Sequence, residues 1–308
     1  MYGQHNSKKL ARIQAAITAV IFLLVPILVV ITSKIGEKHN SNVTSDAGSR
    51  AYIEEIDAWH GKRIANLKKE QGWLSLVALT WLHEGDNRID SIGTATLKKG
   101  RVSVAIDPGV NAALRGGRFV SGAVKTDADT SGADKIVVGT RAFMIIERSG
   151  RFAIRMWDAS SPVRTHFTDI ERYPVSERWK IAARWEPYAA PKHVSLETVI
   201  PGITDEGTVT GAAVFTIGGK EYRLEPIVED PQSDYFFIVS DATNGKESYG
   251  GGRFLYTAPP KNDTIVLDFN KMTNPPCAFT EFATCPRPLP SNRLPVRIEA
   301  GEKKFGSH

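Results

Sequence analysis

The chain has 308 residues, 42% of them hydrophobic, enough to bury a sizeable core in one large β domain or two smaller ones. Lys and Arg total 39 against 34 Asp and Glu, and without Lys8, Lys9 and Arg12 the basic count is 36 (39 less three). No block of like charge follows these three, so composition argues against a nucleic-acid partner, and two cysteines are too few for a zinc cluster of thiolates.

Residues 1–12 are a short basic tail. Ile13–Ser33 (IQAAITAVIFLLVPILVVITS) carries no charge and is long enough, as a helix, to cross about 30 Å of hydrocarbon. Pro26 is tolerable in such a span. The basic tail favours an N-inside orientation. The expectation is a single-pass signal-anchor: 1–12 a cytoplasmic tail, 13–33 the transmembrane anchor, and the C-terminal domain outside the cytoplasm. A cleaved signal peptide and a buried core helix are the alternatives. The length of the run and the lack of a nearby A-x-A site weigh against cleavage. Residues 34–50 are polar and aperiodic and read as a flexible linker.

Ile53, Ile56, Trp59, Ile64 and Leu67 recur at helical spacing and predict an amphipathic helix over about 51–70, weakened at Gly61, with His60 and Lys62 on its solvated side. After Gly72 the texture changes to short apolar or alternating runs. Strands are expected at Ser75–Trp81, Ala95–Leu97, Val102–Ile106, Lys135–Val138, Ala142–Glu147, Phe152–Met156, Trp179–Tyr188, His193–Ile200, Val209–Thr216, Tyr222–Ile227, Tyr235–Val239, Phe254–Tyr256, Thr264–Leu267 and Val296–Ile298. Ser149-Gly150 and Gly218-Gly219 read as hairpin turns. No second helical pattern supports βαβ units. The predicted fold is therefore mainly β: an antiparallel sandwich or barrel-like domain over 51–305 with an N-terminal amphipathic helix, preceded by one transmembrane helix.

Familiar catalytic motifs are absent. His83-Glu84 lacks the second histidine of a zincin helix, because Asn87 stands there, and EGDN reads as a turn. Asn244-Gly245-Lys246 lacks the first glycine and the hydroxyl of a phosphate loop, and no G-x-S-x-G occurs. Asp127–Gly132 begins like a calcium loop, but Val138 stands at its twelfth position, so a solvated hairpin loop is expected. No metal or cofactor is expected. In RFAIRMWDASSPVRTHF, Asp158 sits at a strand end with Arg155 and Arg164 as possible anion forks. Nothing in their spacing requires Ser160 and His166 to act as nucleophile and base; a surface ion network is the plainer reading. Gly250, Gly251 and Gly252 precede Arg253 at a strand start, which suits either close approach of a ligand or a bulge.

The segments GWLSLVALTWLHEGDN, RMWDASSPVR, DATNGKESYGGGRFLY, DFNKMTNPPCAFTEFATCPRPLPSNRLP and IEAGEK together resemble the bacterial and archaeal domain-of-unknown-function family 1684, over about residues 55–305. The resemblance implies a mostly β domain with no assigned activity. Its pattern falls here on Arg155, Asp158, Arg164, Arg253, Asp268, Asn270, Asn274, Cys277, Cys285, Asn292, Arg293 and Glu302.

Asp268 and Asn270 alternate around Phe269 at a strand end, and Asn274-Pro275-Pro276 stiffens the loop that leads to Cys277. Cys277 and Cys285, in an oxidising compartment, suggest a disulfide worth about 2–3 kcal/mol; two buried free thiols are the alternative. Three functional readings stand. The first is a membrane-anchored domain binding a small polar or anionic ligand through Arg253, Asp268, Asn270, Asn274, Asn292 and Arg293, with Arg155 and Arg164 as further anion forks. The second is a hydrolase with Asp268 or Asp158 as general base and Arg253 as clamp. The third is a structural envelope-interaction module in which the polar cluster braces the loop.

Overall fold

The computed structural model describes residues 49–306. The tail 1–12, the anchor 13–33 and most of the linker lie outside the described residues. Among those described, no helix is long and apolar enough to cross a membrane.

Helix α1 covers 49–67, starting two residues earlier and ending three residues earlier than its periodicity suggests. Within it Ile56 and Leu67 are buried, as expected, but His60 is only 8% exposed while Trp59 is only partly covered. His60 therefore belongs to the covered face, not the solvated one: Ile56 and His60 are one helical turn apart, and the imidazole Nε2 reaches Asp169 Oδ1 at 3.0 Å. Lys62 is exposed.

The first half of the domain carries β1 (Leu76–Trp81), β2 (Gly85–Ile89), β3 (Gly93–Lys98), β4 (Arg101–Ile106), β5 (Ala112–Leu114), β6 (Gly117–Phe119), β7 (Ser121–Ala123), β8 (Lys135–Val138), β9 (Arg141–Arg148) and β10 (Arg151–Asp158). They form one sheet in the order β1-β10-β9-β8-β5-β6 and a second in the order β2-β3-β4-β7. Both sheets contribute to one apolar core. Ile89, Ala95, Leu97, Val102 and Val104 come from the second sheet, and Ile136, Phe143, Ile145, Phe152, Ile154 and Met156 from the first. The two sheets thus pack on a shared core, driven by the alternating apolar positions of each strand. EGDN is not a turn: Gly85, Asp86 and Asn87 open β2, and Asn87 caps the approach to it by accepting from the His83 N–H at 2.9 Å.

The second half carries β11 (Lys180–Glu197), β12 (Thr204–Ile217), β13 (Lys220–Leu224), β14 (Tyr235–Val239), β15 (Arg253–Thr257) and β16 (Thr264–Asp268), as a sheet β13-β12-β11-β16 and a hairpin β14-β15. The two strands expected at 179–188 and 193–200 are one long strand. A register shift between Pro187 and Lys192 absorbs the Ala-Ala-Pro interruption instead of ending it. A second core forms around Trp179, Trp185, Phe215, Phe237, Leu255, Leu267 and Phe269. All strand pairings within the sheets are antiparallel. Both expected hairpin turns form, with left-handed φ of 49° and 71° at Ser149-Gly150 and 59° and 77° at Gly218-Gly219.

Two differences from the sequence expectation matter for the site. A short helix α2 (Pro162–Thr165) follows β10. The expected strand Val296–Ile298 does not form; the Ile298 and Ala300 carbonyls accept from the Arg253 guanidinium, so they have no strand partner to seek.

Candidate ligand-binding cleft

The residues singled out in the sequence divide into two groups. Around Arg253 the chain pairs the charge and fills both outer guanidinium nitrogens, although the buried Nε has no hydrogen-bond partner. Arg253 is 0% exposed. Its Nη2 pairs with Asp241 Oδ2 at 2.6 Å and donates to the Ile298 carbonyl at 3.0 Å; its Nη1 donates to the carbonyls of Ala300 and Glu302. The guanidinium lies over the Tyr173 ring. Gly252 is needed beside it: φ is +94°, and a Cβ there would stand 2.8 Å from Pro288 Cγ. Asp268 accepts from the Asn270 backbone and side-chain amides at 3.2 Å each, and Asn270 in turn clamps both backbone groups of Ser176. Asn292 does the same to Glu225, at 2.8 Å for each bond. Arg293 is exposed, on a parallel bridge with Ser240. Arg164 donates to the carbonyls of Lys68 and Ala159. Asp158 accepts from the backbone and hydroxyl of Ser160, which hold its carboxyl below the usual range. Ser160 thus engages Asp158, and His166 is exposed.

Arg155 is different. On β10, Phe152, Ile154 and Met156 face the first core, so Ala153, Arg155 and Trp157 face the other way. That second face is covered too, which leaves Arg155 only 5% exposed. It lines a cleft of about 360 Å³ with Trp73, Arg148, Phe236, Phe254 and Tyr256, closed by Arg63 and the loop segments 273–276 and 283–286. Its Nη2 reaches Thr284 Oγ1 at a long 3.4 Å, its guanidinium lies 5.6 Å from the Trp73 ring centre, and its buried Nε has no partner. No carboxylate among the described residues pairs with it. Burial draws its pKa down to about 10, aided by repulsion from Arg148 and opposed by Asp127 and Cys285, so it is still charged at neutral pH.

The other two arginines of the cleft are already engaged. Arg148 pairs with Asp127 at 2.7 Å, and Arg63 with Glu302 at 3.1 Å and the Asn274 carbonyl at 2.9 Å. Asn274 donates from its backbone to Glu302 at 2.6 Å and from its side chain to the Lys303 carbonyl at 2.7 Å; its buried Oδ1 has no partner. The aromatic wall is preorganised. Phe236 stacks on Tyr256 at 4.8 Å and meets Phe254 edge-on at 4.8 Å, while Tyr256 stays 55% exposed at the rim. Asp205 also lines the cleft, and burial lifts its carboxyl above the usual range against the pull of Arg148. The arrangement sets one cation without a paired carboxylate between an aromatic wall and a polar rim, a setting suited to an anion with a planar or apolar body.

Sequence reasoning marked Arg155, Asn274 and Cys285 among these residues. It assigned no role to Trp73, Arg63, Arg148, Asp205, Phe236, Phe254 and Tyr256, although Trp73, Phe254 and Tyr256 fall within the segments that carry the family resemblance.

The fold and cleft thus define an antiparallel β domain with an arginine set into an aromatic cleft. Residues 165–303 match the family described as Protein of unknown function (DUF1684), which supports the resemblance seen in the sequence; the match is narrower than the 55–305 over which the sequence resembles it, and Arg155 and Trp73 lie outside it. An uncharacterized protein of Haloarcula marismortui, solved by solution NMR, is 26% identical, with 47% of this chain and 81% of that one covered at a TM-score of 0.41. No curated protein matches the chain.

Proposed function

We propose that this domain binds a small anion with an apolar or planar body, a carboxylate or phosphate held by Arg155 and flanked by Trp73, Phe236 and Tyr256. The observation that carries this reading is the buried guanidinium with no carboxylate paired to it among the described residues. A buried charge without a counter-ion costs several kcal/mol, and a ligand anion would recover that cost through charge-assisted hydrogen bonds. Arg253, which the sequence suggested for the same task, has its fork filled by Asp241 and three carbonyls, so the ligand role passes to Arg155. Neither candidate base favours hydrolysis: Asp158 and Asp268 both spend carboxylate oxygens on neighbouring amides or hydroxyls.

The test is a thermal-shift and calorimetric screen of small carboxylates and phosphates, each with and without an aromatic ring, on wild type and Arg155→Gln. A binder should stabilise wild type by about 2.7 kcal/mol at a hundredfold excess over its Kd and lose most of that effect in the variant. A ligand that binds both proteins equally removes Arg155 from the site.

The same reading keeps the domain outside the cytoplasm on the anchor expected at 13–33, where Cys277 and Cys285, free thiols in this structure, would close into a disulfide. A reporter fused after His308 that is active only in the cytoplasm would reverse the orientation.

A further inference from the structure

A second cleft, of about 550 Å³, lies beside the first and is lined by Leu74, Ser161, Tyr249, Cys277, Phe279 and Glu281. Cys277 opens onto this second cleft and Cys285 onto the Arg155 cleft, so the pair forms part of the wall of each. The two cysteines approach to 3.0 Å. The Cys277 N–H donates to Cys285 Sγ at 3.1 Å, which fixes the buried sulfur against the backbone of its partner. The Tyr249 hydroxyl donates to the Cys277 carbonyl at 3.3 Å and lies close to the Cys277 sulfur. The setting is asymmetric. Cys277 is partly accessible, and Cys285 is buried among Ile238, Phe254 and Ala283.

We propose that Cys277 and Cys285 are a reactive dithiol, in which Cys277 reduces a small hydroperoxide entering from the second cleft and Cys285 resolves the product. The Cys277 thiolate attacks one peroxide oxygen; the S–O bond forms and the O–O bond breaks. The departing oxygen takes a proton from Tyr249, regained from solvent, and leaves as water or alcohol. Cys285 then attacks the Cys277 sulfur, the S–OH bond breaks, and the Cys285 thiol proton leaves with that hydroxyl as water. Two electrons pass from the two sulfurs to the peroxide, and one disulfide results.

The electrostatics agree with these roles. Hydrogen bonding from Cys285, then from Tyr249, with Arg287 nearby, holds the Cys277 thiol below its ordinary range despite burial. The same contact with Cys277, with burial adding, pushes Cys285 up. Burial keeps the Tyr249 phenol protonated, as a proton donor must be. The chemistry does not depend on what occupies the Arg155 cleft, and it adds an attacking and a resolving role to the disulfide expected from compartment alone.

The experiment is peroxide titration of the reduced, full-length chain followed by intact mass. The chain has only these two cysteines, so thiol oxidation reads without ambiguity. Wild type should lose two hydrogens and resist alkylation. Cys285→Ser should stop at a sulfenic acid on Cys277, trapped by dimedone, whereas Cys277→Ser should react at least about tenfold more slowly, because the remaining thiol is buried. Full alkylation of both wild-type thiols after peroxide, or oxidation of Cys277→Ser as fast as wild type, overturns the proposal. The wild-type measurement decides by itself if a variant fails to fold.

Discussion

Arg253 and Arg155 are both arginines at buried positions of β strands, yet their surroundings are opposite. Arg253 starts β15 and meets Asp241 and three backbone carbonyls, so the chain neutralises its charge and fills both outer nitrogens, though the buried Nε has no partner. Arg155 sits mid-strand in β10 against an aromatic ring and a threonine hydroxyl, with its charge unmatched. A filled fork is architecture: it pins residues 298–302 to the second core. An unfilled one is the feature on which the proposed ligand site rests.

The largest effect expected from breaking this contrast is at the filled fork. Arg253→Ala leaves Asp241 buried without its cation and should cost about 3–5 kcal/mol in thermal or urea melts. Arg253→Lys should rescue little, since an ammonium cannot span the same acceptors. A loss below about 1 kcal/mol would show that Asp241 and the carbonyls find other donors, and the contrast would fall.

Next is the empty fork. Arg155→Ala should change stability by no more than about 1 kcal/mol, because loss of the contact with Trp73 is offset by relief of an uncompensated charge. Ligand affinity should instead fall roughly 10- to 100-fold, the weight of one or two charge-assisted hydrogen bonds. A destabilisation as large as that of Arg253→Ala would place Arg155 among the braces.

Glu302 lies between the two regions: its carbonyl accepts from Arg253, and its carboxylate from Arg63 and the Asn274 N–H. Glu302→Gln turns one acceptor into a donor facing donors, and should cost about 1–3 kcal/mol while loosening the rim of the ligand cleft. Both changes should appear together in melts and binding isotherms; a change in only one would separate the regions.

The smallest effect sharpens the cleft's electrostatics. Burial raises the Asp205 carboxyl in the folded state, so folded protein holds this proton more tightly than unfolded chain. Stability from this group is therefore fully present below the unfolded carboxylate range and is lost as pH rises through the raised value. An anion in the cleft should bind more tightly as pH falls through the same window, provided the ligand itself stays ionised. Asp205→Asn should flatten that dependence and strengthen binding at neutral pH by a few-fold. Titrations across mildly acidic pH check it; identical pH profiles for the two proteins would remove Asp205 from the site.

Alternation of apolar residues was enough to place most strands, and Ser-Gly and Gly-Gly were enough to place two hairpins, because pleat and turn chemistry are local. The uncharged run at 13–33 is likewise a property of the string alone. What the string could not show was which polar residues face inward and find partners. Arg155 and Arg253 look alike in sequence; their difference depends on Asp241 and the chain around 298–302 for one, and on Trp73 and the loop 283–286 for the other. Strand faces alternate whatever lies opposite, but only the long-range packing of loops decides whether a second face is covered by acceptors, by aromatic rings or by nothing. The cleft is therefore tertiary in origin: its cation comes from β10, its aromatic wall from β14 and β15, and its sulfur from a proline-stiffened loop, and no window of sequence contains all three.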